Sequence, residues 1–144
     1  MRTAAETARE DQMRAACAEL DTILAKVAAS AGTTPIDIPH DGWFGNQAKA
    51  FLDLFRAGNV QACRHVASSP TACMAAVWKP GIVVCFPCSA FALRAAPEED
   101  NRCDRCRRHT DRIFPGSLPI GPVALAYGLC RQCSDDLGVR QGRS

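Results

Sequence analysis

Three Cys-x-x-Cys pairs punctuate the chain: Cys85-Phe86-Pro87-Cys88, Cys103-Asp104-Arg105-Cys106 and Cys130-Arg131-Gln132-Cys133. Cys63-Arg64-His65 precedes them. Thiolates and imidazole are the ligands zinc prefers, and a turn with two intervening residues presents both sulfurs to one ion. Seven cysteines and one histidine meet the requirement of two closed tetrahedral sites, eight ligands in all. Of the nine cysteines only Cys17 and Cys73 are left over, which accounts for an odd total that a disulfide framework would not.

Spacing predicts how the ligands divide. Cys103/Cys106 and Cys130/Cys133 enclose 23 residues, close to the interval of double Cys-x-x-Cys zinc sites. Cys63/His65 and Cys85/Cys88 enclose 19, enough for a β-hairpin. One zinc is expected in each set, two per chain. His65 is the least regular of the ligands, with Cys73 as the alternative. Four thiolates can also hold an iron–sulfur centre, so the all-cysteine set alone does not fix the metal. Another chemistry is open to Cys85-Phe86-Pro87-Cys88, which follows an apolar strand and precedes a helix. A dithiol oxidoreductase places its reactive thiolate in that position. Only 56 residues follow Cys88, and two further Cys-x-x-Cys pairs interrupt them.

The elements that must position these ligands begin with a break in composition. Residues 1–58 contain one cysteine, six basic and eight acidic residues; residues 59–144 contain eight cysteines, eleven basic and seven acidic residues. This places a helical segment at 1–58, a first zinc-binding unit at 59–98 and a second at 99–144. A helix is expected from Thr3 to Ser30, with Met13, Cys17, Leu20, Leu24 and Val27 on one apolar face and Gly32 as its stop. It should pack within the molecule, with a homodimer through it as the alternative. Thr34-Pro35-Ile36-Asp37-Ile38-Pro39 should be extended, since a residue before proline avoids the helical region. A second helix is expected from Asn46 to Ala57, facing inward with Phe44, Ala48, Phe51, Leu52 and Phe55 and ending at Gly58-Asn59.

The two cysteine-bearing segments read as repeats. Each has a ligand pair, a hairpin, an apolar strand ending in Cys-x-x-Cys, then a serine and a short helix. In the first, Ala75–Trp78 turns through Lys79-Pro80-Gly81 into Ile82–Cys85. In the second, Val123–Leu129 leads into Cys130, and Asp135 and Asp136 are expected at the following helix's N-terminus. This order over residues 60–140 resembles the treble-clef zinc finger. The resemblance implies an α+β fold: N-terminal helices packed on two tandem treble-clef-like zinc units with short β-hairpins. It carries no activity, because that fold serves many functions. The whole chain also resembles small double-zinc proteins of GC-rich bacteria.

Composition narrows the function. The formal charge is +2 and the pI about 8.1, too balanced for a strongly basic nucleic-acid domain. No apolar run approaches the ~20 residues of a membrane span, and the first ten residues lack the apolar core of a signal peptide; a cytoplasmic protein is expected. The sequence contains no HExxH, no HxE with PCxxC, no phosphate-binding glycine loop and no GxSxG. A non-enzymatic protein-interaction or adaptor module with structural zinc is the expected function. The rival is nucleic-acid binding through Arg102, Arg105, Arg107, Arg108 and Arg112, joined by Arg131. The acids Glu98, Glu99, Asp100, Asp104 and Asp111 bring residues 98–112 to zero net charge. His40, His109, Trp43, Trp78 and Tyr127 are expected to be structural or surface residues.

Overall fold

A computed structural model describes residues 1–32, 38–66 and 70–139. Among them are four helices and a five-stranded mixed sheet, an α+β fold that begins with a helix. Of the extended stretch expected at Thr34–Pro39, only Ile38 and Pro39 fall within the described residues.

Helix α1 (Ala4–Ser30) opens on a capping box: the Glu6 amide donates to Thr3 Oγ1 at 3.1 Å, and the Thr3 amide to Glu6 Oε2 at 2.7 Å. It stops where expected, with Gly32 at φ +69°. Its inner face differs from the expected stripe. Ala16 and Leu20 are buried, with Ile23 and Leu24 packed beside them, while Met13 and Val27 are exposed and Cys17 is half-buried. Leu20 meets Ala72 and Ala124, small residues that let the helix approach the sheet over a short contact. Most of the remaining α1 residues are exposed.

Helix α2 (Gly42–Arg56) begins four residues before Asn46. Gly45 is the reason. A Cβ there would lie 2.8 Å from the His40 carbonyl oxygen, so the glycine permits a tight entry rather than breaking the helix. Trp43 and Phe44 therefore join the first turn. Phe44 and Phe51 are buried, but Phe55, expected inside, is 62% exposed. The helix ends in a Schellman motif, Asn59 N–H donating to Leu54 O at 3.0 Å and Gly58 N–H to Phe55 O at 3.1 Å.

The strands are β1 (Gln61–Ala62), β2 (Cys73–Ala76), β3 (Lys79–Val84), β4 (Phe114–Ile120) and β5 (Val123–Leu129), in the order β1-β3-β2-β5-β4. Two antiparallel hairpins, β2–β3 and β4–β5, are joined by parallel pairing of β2 with β5, Cys73 opposite Val123 and Ala76 opposite Ala126. The first hairpin turns at Val77–Trp78, not at Lys79-Pro80-Gly81, which already belongs to β3. Val77 N–H donates to Ala126 O at 2.9 Å and Trp78 Nε1 to Leu93 O at 2.7 Å, holding that turn onto its neighbours. Alternation along β5 sends Val123, Leu125, Tyr127 and Leu129 into the main core with Phe44 and Phe51. Ala124 faces α1.

Each hairpin runs straight into a short helix: β3 into α3 (Phe86–Ala92), and β5 into α4 (Arg131–Asp136). Because β3 opposes β2 and β2 parallels β5, the strands β3 and β5 run in opposite directions. Cys85 and Cys130, which follow them, consequently lie toward opposite ends of the sheet.

Candidate metal centres

The structure gathers the eight ligands into two groups of four. Cys63, His65, Cys85 and Cys88 form one and Cys103, Cys106, Cys130 and Cys133 the other, the ligand atoms of each lying within 4.8 Å of one another. The two are built alike. A tight loop supplies the first pair. The strand end supplies the third ligand as helix N-cap, Cys85 for α3 and Cys130 for α4, and the helix's first turn supplies the fourth.

Spacing within the groups can be compared with what an ion would demand. A tetrahedral zinc about 2.3 Å from sulfur and 2.0–2.1 Å from nitrogen sets sulfur–sulfur edges of about 3.8 Å and sulfur–nitrogen edges of about 3.5 Å. His65 Nδ1 stands 3.6 Å from Cys85 Sγ and 3.5 Å from Cys88 Sγ, and Cys106 Sγ stands 3.9 Å from Cys130 Sγ. The donors fit the ion. Cys73 is buried on β2 with its sulfur 3.9 Å from the Pro122 carbonyl, and it is not among the gathered ligands.

Backbone amides prepare the sulfurs. Cys85 N–H donates to Cys63 Sγ at 3.3 Å and Cys133 N–H to Cys130 Sγ at 3.4 Å. The Cys85 amide is the main cause of a Cys63 pKa lowered to about 6, and the Arg108 amide does the same for Cys106, also to about 6. Their partners move the other way. The hydrogen bond and charge of Cys85 push Cys88 up to about 11, and burial pushes Cys133 up to about 12. A metal-free group thus forms one thiolate readily and resists the next. A dication removes that resistance.

The groups differ in burial. Cys103, Cys130 and Cys133 belong to the main core and are at most 8% exposed. In the first group His65 is exposed and the three cysteines are half-buried, beside a smaller cluster of Ala76, Val84 and Leu93.

Asp104 locks the second group to the sheet. Its amide donates to Gly128 O at 2.8 Å, and its Oδ2 accepts the Gly128 amide at 2.7 Å. The Asp104 side chain is only 4% exposed, and burial raises its pKa. In the sequence Asp104 stands out only as one of the acids that balance the arginine run. An acid inside a Cys-x-x-Cys loop, with a glycine two residues before the next pair, was the available signal. Asp135 and Asp136, expected at the N-terminus of α4, occupy its last turn, because the helix starts directly after Cys130.

The arginine run divides. Arg107, at φ +64°, gives two hydrogen bonds from Nη2 to Glu99, at 2.8 and 3.0 Å, and approaches Asp104 at 3.7 Å. Arg102 donates to Arg107 O at 3.1 Å, lies 2.9 Å from His109 Nε2 and is 3.8 Å from Glu99. Arg105 pairs with Asp136 at 3.6 Å and Arg108 donates to Gln132 Oε1 at 3.4 Å. Arg112 covers the Phe114 ring at 4.7 Å, and Arg131 is exposed on α4. Trp43 and Tyr127, distant in sequence, meet edge-on at 6.0 Å, and Phe44 packs edge-on against both, at 5.2 and 5.3 Å.

Comparison of the chain with known families, curated proteins and solved structures gave no match. Among the described residues, no helix is long and apolar enough to cross a membrane.

Proposed function

We propose that each group holds one zinc ion as a closed structural site, and that the protein is a non-enzymatic interaction module of the cytoplasm. Supporting zinc is the agreement between the ligand spacings and the edges of a zinc tetrahedron. Four protein ligands fill the coordination sphere, leaving no position for a substrate or an activated water. In each group the last two ligands sit at a helix start, which supports the treble-clef reading. At Cys85-Phe86-Pro87-Cys88, the position of His65 Nδ1 against both sulfurs favours metal over dithiol chemistry.

The interaction reading rests on α1, a 27-residue helix that buries only Ala16 and Leu20. A helix so little covered by its own molecule has surface to offer a protein partner, a second copy included. Nucleic-acid binding through the 102–112 loop has less support, since Arg102, Arg105, Arg107 and Arg108 all have partners within the chain.

Structural zinc makes folding depend on metal. Stripping the protein with a chelator should abolish its near-ultraviolet circular dichroism, and added zinc should restore it. A stripped protein that keeps its tertiary signal would contradict the structural assignment.

A further inference from the structure

The two proposed ion sites carry different charge. Zinc with three thiolates and a neutral imidazole leaves one negative charge on the first group; zinc with four thiolates leaves two on the second. That excess sits in the more buried site, where an uncompensated charge is costly.

Two of the arginines are turned toward it. Arg105 lies 3.6 Å from Asp136 on α4, and the nearby Cys133 sulfur raises its pKa. Arg108 donates to Gln132 Oε1 at 3.4 Å, and the nearby Cys106 sulfur raises its pKa. Both extend from the Cys103–Cys106 loop to α4, so each spans the two ligand pairs. Arg102 and Arg107, in the same run, turn instead to Glu99, Asp104 and His109. Around the first group, the groups that act on the Cys63 and Cys88 sulfurs are backbone amides, the His65 side chain and the neighbouring cysteines. The basic partners occur where the extra charge is.

We propose that Arg105 and Arg108 are the counter-charges of the tetrathiolate site: positioning residues that neutralise its two negative charges and hold its metal. This rests on the zinc reading above. Partners of this kind typically change metal affinity by about 10–100-fold when lost. In that reading, Arg105 and Arg108 serve the metal of their own loop rather than a phosphate backbone.

The test uses the full chain loaded with cobalt(II), whose absorption distinguishes a four-sulfur site from a three-sulfur, one-nitrogen site, in competition with a chelator. The double variant Arg105→Gln/Arg108→Gln should lose about 10-fold or more in affinity at the four-sulfur site and shift its sulfur-to-cobalt band. The other site should be unchanged. Arg105→Lys/Arg108→Lys, which restores the charge, should recover most of the affinity. The single glutamine variants, read in the same way, replace the double if it does not fold. An unshifted band and unchanged four-sulfur affinity in a folded variant would overturn the proposal while leaving the zinc reading intact. A wild-type chain that takes up no metal in the four-sulfur site would overturn both.

Discussion

Zinc entering either group has to displace protons that the metal-free protein holds firmly. Cys63 and Cys106, with pKa values near 6, are already thiolates at neutral pH. Cys88 and Cys133, raised to about 11 and 12, are not. Binding at pH 7 must therefore release protons from these two, and affinity must rise with pH across the neutral range. Acidification has the opposite effect, returning protons to the sulfurs and releasing the metal. Calorimetric titration with zinc in buffers of different ionisation heat should show a buffer-dependent enthalpy corresponding to proton release. An enthalpy independent of buffer would contradict this account. At this scale the sequence was highly informative: residue type and interval singled out the eight residues that the fold brings together, because coordination chemistry constrains both. It left Cys73 as the substitute for His65. That choice depends on where β2 lies, and β2 is held by its long-range pairing with β5.

Among the elements, the Cys103–Cys106 loop depends on β5 more than its own sequence indicates. Asp104 exchanges two hydrogen bonds with Gly128, one through its backbone and one through its carboxylate. Asp104→Ala leaves the buried Gly128 amide without its acceptor, a loss of about 1–3 kcal/mol. Asp104→Asn retains an oxygen acceptor and should recover part of that loss. Urea unfolding of the zinc-loaded proteins measures both, and an alanine variant as stable as the parent would show that the clamp is unimportant. The helices were legible where local chemistry decides them, as at the Thr3–Glu6 box and the Gly32 and Gly58 stops. Their inner faces were less so. Met13 and Phe55 fit the helical period, yet the sheet does not extend beneath them. The first hairpin was misplaced for a related reason: Lys79-Pro80-Gly81 has turn-like residues, but contacts with Ala126 and Leu93 place the turn at Val77–Trp78.

For the whole molecule, the decisive feature is a sheet that both hairpins share. Parallel pairing of β2 with β5 joins segments that the sequence presents as successive units, and no local signal announces such a pairing, since its partners are about 50 residues apart. It puts the two candidate sites toward opposite ends of one sheet. The four-cysteine group lies in the main core, to which α2 contributes Phe44 and Phe51, and the mixed group lies beside a smaller cluster. Cross-linking by two ions would then support a molecule whose core has few large side chains. Whether each group holds one zinc is decided by native mass spectrometry of the purified chain with elemental analysis. Two zinc ions per chain is the predicted result; a folded chain carrying no metal, or iron in place of zinc, would contradict it.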